Sequence, residues 1–107
     1  MKFNEINFCE SDKPNKPGLG LFLPGHYWVA KKYFELVWRY AALEIPKLDW
    51  SQEQCAETIF GKARWKEFDF WEQIRLGRCV KYFVTREMLP LRLANPRKKG
   101  KRKYFHQ

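Results

Sequence analysis

The chain has 107 residues, 45% of them apolar and 18% aromatic, with a net charge of +9. That length holds one domain with a modest core, and that apolar content excludes disorder on compositional grounds. Residues 1–60 hold 7 Lys/Arg against 8 Asp/Glu, whereas residues 61–107 hold 14 against 4, so the whole excess sits in the second half as a balance of +10. A field of that kind draws in polyanions; charge serving solubility alone would be scattered.

Residues 1–25 read as a polar, extended N-terminal arm, with Phe3, Ile6 and Phe8 on a short edge strand or acting as anchors. The run from Ser11 to Gly20 is rich in Pro, Asn and Gly and reads as a loop. Its Gly18-Leu19-Gly20 lacks the strand-to-helix context of a nucleotide motif. Residues 19–23 are expected to form a short strand before a turn at Pro24-Gly25. A first helix is expected over 26–44, stopped by Pro46. Its apolar residues, among them Tyr33, Phe34, Val37, Trp38 and Ala41, cover most of the circumference. Such a helix is either the central core helix or half of a homodimer interface.

Ser51 and Gln54 fit a capping box, and a second helix is expected over 51–60, with Cys55, Ala56 and Ile59 inward and Gly61 at its end. Residues 61–69 form a turn or a short extra turn of helix, and Asp69 is placed to cap the next helix. That third helix, over 70–87, divides into two faces. Leu76, Val80, Phe83 and Val84, with Cys79 beside them, form an apolar stripe. Arg75, Arg78, Tyr82, Thr85 and Arg86 lie opposite, with Lys81 at the edge. Gly77 in mid-helix costs roughly 1 kcal/mol relative to Ala, which leads one to expect a close approach at that point, by the second helix or by a ligand. Leu91-Arg92-Leu93 alternates, 103–105 suits a return strand, and Asn95-Pro96 and Lys99-Gly100 supply turn chemistry between them. The tip of that hairpin carries Arg97, Lys98, Lys99, Lys101, Arg102 and Lys103.

These features lead to a nucleic-acid partner. An apolar-backed helix bearing three arginines suits a phosphate-lined groove, with Arg75, Arg78, Lys81 and Arg86 on phosphates and base edges and Tyr82 or Thr85 on a backbone or thymine methyl. The cluster over 97–103 would ride the phosphate backbone or reach into a minor groove. The bland alternative is a solvated helix face, with Glu72 paired to Arg75, and a solubilising tail. Trp65, Phe68, Phe70 and Trp71 interleave with Lys62, Arg64 and Lys66, which suits either stacking on a single strand or simple core packing.

Catalysis finds no support. There is no GxSxG, HExxH or P-loop pattern, and the basic half has only 4 acids, too few for a metal-dependent nuclease. No catalytic residue, cofactor or metal is expected. Cys9, Cys55 and Cys79 are widely spaced, form no CxxC and stand at no ligand spacing to His26 or His106, which argues against zinc and against a disulfide framework. The opening residues lack an apolar signal core and no apolar run is long enough to span a bilayer, so a cytoplasmic protein without a membrane partner is expected.

The order of helix, helix, turn, helix and basic hairpin over 26–107 resembles winged helix-turn-helix DNA-binding domains. The fold class expected is therefore mainly α with a small β-hairpin. The run Phe60-Gly61, Trp65, the segment Glu72-Gln73-Ile74-Arg75-Leu76-Gly77-Arg78, and Leu89-Pro90 is also similar to a group of small phage and bacterial proteins, some labelled as single-stranded DNA-binding. Gln73 stands where Arg is more typical of that group. The resemblances imply a double-stranded DNA-binding regulatory protein of a phage or mobile element, with the third helix as reader and 97–103 as wing. On that reading Arg75→Ala or Arg78→Ala weakens specific binding by roughly 1–3 kcal/mol. The rival is an interaction protein that uses its basic surface to inhibit a host defence or nucleic-acid-processing complex.

Overall fold

The apolar stripe of the third helix is buried as expected: Leu76, Cys79, Val80, Phe83 and Val84 all face inward from a helix over Phe70–Thr85. The structure, a computed structural model, describes residues 2–11, 18–25, 27–94 and 102–107. Its elements in chain order are β1 (Cys9–Glu10), β2 (Leu19–Leu23), β3 (Tyr27–Ala30), α1 (Lys31–Glu44), β4 (Gln54–Cys55), α2 (Ala56–Phe60), α3 (Lys62–Trp65), α4 (Phe70–Thr85), β5 (Leu91–Ala94) and β6 (Lys103–His106). The helices carry most of the fold, flanked by two antiparallel three-stranded sheets of order β1-β2-β3 and β4-β6-β5.

The first helix starts later than its pattern suggests. Residues Tyr27–Ala30 form β3, paired with β2 from Gly20↔Ala30 to Leu23↔Tyr27. Tyr, Trp and Val fit a pleated, half-buried surface well, and the pairing satisfies backbone groups that a frayed helix end would leave open. Phe22 and Trp28 face one another across the strands with ring centroids 4.8 Å apart. A side chain at Gly20 would run into the Val29 carbonyl and the Trp28 ring, so glycine is required there by close approach. α1 itself takes the core role, with Tyr33, Phe34, Val37 and Ala41 buried within the one chain. Its outer side shows Lys32, Glu35, Arg39 and Leu43.

The arm contributes to the core through its anchors. Ile6 is buried, and Phe3 lies 5.9 Å from the Trp38 ring and 6.2 Å from the Phe83 ring. Phe8 meets Phe34 edge-on at 5.5 Å.

The capping box expected at Ser51 does not form. Asp49 takes Ser51 instead, accepting from its hydroxyl at 2.6 Å and its backbone N–H at 3.0 Å. This local turn competes with helix, as Asp and Ser side chains do. Gln54 and Cys55 then extend and pair with Tyr104 and Lys103, so α2 begins only at Ala56. Thr58 closes its first turn, accepting from the Cys55 N–H at 3.1 Å and donating to the Cys55 carbonyl at 2.9 Å. Gly61 separates α2 from α3 at a φ of 109°.

Asp69 caps α4 as expected, accepting the Glu72 N–H at 2.8 Å while the Glu72 carboxylate receives the Asp69 N–H at 3.3 Å. The helix ends two residues short of expectation, and Glu87 turns the chain at a φ of 58°. β5 and β6 form the anticipated hairpin, from Leu91↔His106 to Ala94↔Lys103. At Gly77 the second helix does not make the expected approach: beyond the helix's own backbone, no atom of the described residues lies within 4 Å of where its Cβ would stand.

Candidate nucleic-acid interface

Five of the six α4 residues singled out for nucleic acid meet around one cleft. Arg78, Lys81, Tyr82, Thr85 and Arg86 line it from the helix, and Leu23 and Pro24 form the opposite wall, enclosing about 150 Å³. The opposite wall comes from the turn after β2, far away in the sequence, and no local pattern announces it. Among the described residues, three cations and no carboxylate line the space. The two ion pairs among the described residues, Lys31–Glu35 and Arg64–Glu44, involve none of these groups.

The cations differ in how freely they are held. Lys81 and Arg86 are exposed, as is Thr85, whose hydroxyl donates to the Tyr82 carbonyl at 3.0 Å. The Arg86 guanidinium stands 5.2 Å from the Tyr82 ring. Arg78 lies over the face of Tyr27 at 4.1 Å and is half-buried, with its Nε shut from solvent and without a hydrogen-bond partner. Cation–π contact of this kind steadies the guanidinium plane. Arg75 stands apart from the cleft, 5.8 Å from the Tyr33 ring. Glu72 accepts a hydrogen bond from the Tyr33 hydroxyl at 3.4 Å instead of forming the local ion pair with Arg75. Burial and then the Glu72 charge raise Tyr33 above its ordinary value, so it remains the donor. Tyr82 is shared with the core, its ring edge-on to Phe34 at 5.4 Å.

Of the hairpin residues, Arg102 is exposed and Lys103 sits half-buried in β6 between Ala94 and Cys55. Arg97, Lys98, Lys99 and Lys101 lie outside the described residues. Arg92 adds an exposed cation on β5, 5.0 Å from the Phe105 ring. Alternation already points outward for it, since Leu91 is buried.

The four interleaved aromatics separate into two pairs. Trp65 is buried and Phe68 half-buried, both edge-on to Phe60 at 6.0 and 5.7 Å. Phe70 and Trp71 are 66% and 64% exposed, in edge contact with each other at 5.4 Å. Arg64 belongs to the scaffold: its Nη1 is 2.9 Å from the Glu44 carboxylate and its guanidinium 4.3 Å from the Tyr40 ring.

Among the described residues no group of three or more His, Cys, Asp or Glu is placed to hold a metal ion. Cys79 is fully buried, and loss of hydration pushes its thiol well above the ordinary range, which suits a packing role. No helix among the described residues is long and apolar enough to cross a membrane. No protein-family model matches the chain, and no curated protein or solved structure is significantly similar to it.

Proposed function

We propose that this chain is a nucleic-acid-binding module that holds duplex DNA chiefly by its phosphates, in a winged helix-turn-helix-like arrangement. The observation that carries the reading is the cleft beside the C-terminal half of α4, with Arg78, Lys81 and Arg86 around it and no acid among the described residues that line it. The element order is compatible with it: α1, β4, α2, α3 and α4 precede the β5–β6 hairpin, and β4 pairs with β6. In that arrangement the basic residues of 97–103 serve as the wing. A regulatory role in a phage or mobile element accords with the resemblance.

Because Arg75 and Arg78 lie over tyrosine rings, they position the backbone more than they read bases, and Lys81, Thr85 and Arg86 make the outer contacts. Phosphate contacts of this sort give affinity without sequence choice. The test is fluorescence anisotropy of labelled random duplex at about 50 and 200 mM salt, a range over which six phosphate contacts give a log-log slope of about −5. Salt-sensitive duplex binding supports the reading. Absence of binding by a folded protein overturns it and leaves the rival, an acidic protein surface.

A second reading has its own observation. Phe70 and Trp71 stand bare at the start of α4, where bases of a single strand would stack. Preference for single strand over duplex in the same titration would decide for it.

A further inference from the structure

The bare aromatics at the start of α4 and the cations at its finish share one face of one helix. Phe70 and Lys81 are about three turns apart, and Trp71 and Arg78 about two, so each pair stands nearly in line along the axis. From Glu72 to Val80 every residue is half-buried or buried, so no exposed side chain rises between the two ends. On the line from Phe70 to Lys81 come Ile74 and Gly77, and beside Gly77 the described residues leave open space. A strand-like ligand has room to run from one end to the other. At about 1.5 Å per residue the path is about 15 Å from Trp71 to Lys81 and about 22 Å from Trp71 to Arg86.

The helix does not need the two rings where they stand. Asp69 and Glu72 supply its cap, and Phe70 and Trp71 are 66% and 64% exposed. Single apolar residues on a surface are ordinary, but a touching Phe and Trp make a patch of the kind that contacts a partner. Their planes meet at 71° with centroids 5.4 Å apart, so a flat group that stacks on one ring meets the other edge-on. That corner takes one base. Exposed Asp69 precedes the rings and half-buried Glu72 follows them, so phosphate is repelled here and a strand can offer only its base. At the other end Lys81 and Arg86 attract phosphate, with no acid among the described residues that line the cleft.

Resting on the duplex reading above, we propose that the preferred partner is a duplex with a single-stranded tail. The cleft at the finish of α4 holds phosphates of the paired part, and the tail runs back along the helix. One unpaired base then stacks in the Phe70–Trp71 corner. Paired bases cannot do so, because their faces are hidden in the stack. Phosphates of one strand rise about 3.4 Å apart in stacked geometry, so the base that reaches the corner is about the fourth or fifth of the tail, or an earlier one in a stretched tail.

The test is fluorescence anisotropy of one labelled duplex at about 50 mM salt, either blunt, with a one-nucleotide tail, with a tail of about six nucleotides, or with an abasic tail of that length. Tails of both polarities are compared. The six-nucleotide tail of at least one polarity should tighten binding about 5–100-fold over the blunt duplex, the worth of one stacked base. The one-nucleotide tail should bind as the blunt duplex does, and the abasic tail, with phosphates but no bases, should lack the gain. Phe70→Ala with Trp71→Ala should erase the gain and leave blunt-duplex affinity within about twofold, the fold being kept because both residues are exposed. Equal binding of blunt and tailed forms by a protein that holds duplex overturns the proposal and leaves the duplex reading intact. So does a gain that survives loss of both rings, or one that the abasic or one-nucleotide tail reproduces. Failure to bind any duplex, blunt or tailed, removes the duplex reading itself and this proposal with it.

Discussion

The two ends of α4 offer different chemistry to solvent. At its start Phe70 and Trp71 stand out with two thirds of their surface wet, and at its finish Lys81, Thr85 and Arg86 stand out instead. Between them Arg75 and Arg78 lie over Tyr33 and Tyr27 and are only partly available. One buried stripe of Leu76, Cys79, Val80, Phe83 and Val84 anchors both ends, so the difference is one of surface and not of support. The basic face is therefore not uniform. One end offers flat apolar surface, and the other offers positive charge.

The strongest way to break that contrast is to reverse charge at the finish of the helix. Lys81→Glu with Arg86→Glu should lower duplex affinity roughly 100-fold at low salt and make the log-log salt slope shallower by about 2, as expected for two lost phosphate contacts. Anisotropy measures both, and circular dichroism should remain unchanged because both residues are exposed. An unaltered slope would remove the C-terminal end from the interface.

Trp71→Ala addresses the other end. Stacking of one base is worth about 1–3 kcal/mol, so single-strand affinity should fall about 5–100-fold while duplex affinity stays within about twofold. Equal losses on both ligands would show that the two ends act on one ligand in one way.

Asp69→Ala should instead touch the whole helix. Loss of the cap costs about 1 kcal/mol, and the melting temperature should drop by about 4–8 °C in scanning calorimetry. Binding measured well below that temperature should hardly change, which separates support from contact. The smallest effect belongs to Asp49, distant in sequence from both ends. Two hydrogen bonds from Ser51, hydroxyl and backbone, hold its carboxyl below the usual range. Its contribution is therefore present above the ordinary carboxylate range and lost as pH falls through the lowered value. Thermal melts of Ser51→Ala and the parent should differ at about pH 6 and converge as the pH falls below the lowered Asp49 value.

Much of α4 is legible in the sequence because its signals are local. The stripe recurs every three or four residues, and the cap at Asp69 needs only Glu72. The strands at Leu19–Leu23, Leu91–Ala94 and Lys103–His106 carry alternation or turn residues at their borders. Competition or distance decides the rest. Tyr27–Ala30 carries apolar residues at every position, which serves helix and strand alike, and only pairing with β2 settles the matter. Ser51 has the chemistry of a cap, but Asp49 takes its hydroxyl. For the candidate site, the cationic side of the cleft is visible in the spacing of α4. Its opposite wall, Leu23 and Pro24, is invisible, because it is brought there by tertiary packing alone. Gly77 stands out in the sequence as an anomaly that suggests a close contact, yet open space lies beside it; a void and a contact look the same in one dimension.

The seat of Phe3 has a consequence for how the chain assembles. It rests on Phe83, eighty positions later, and β4 near mid-chain finds its partner only at Tyr104 and Lys103. Contacts of such separation close late, after the loops between them have given up their freedom, and they slow folding relative to a simple helical bundle. On a ribosome, Phe3 emerges long before Phe83, and until α4 is made it has only the α1 side of its seat, at Trp38. That side chain is then sticky surface on an unfinished molecule, the stage at which association between nascent chains is most favoured.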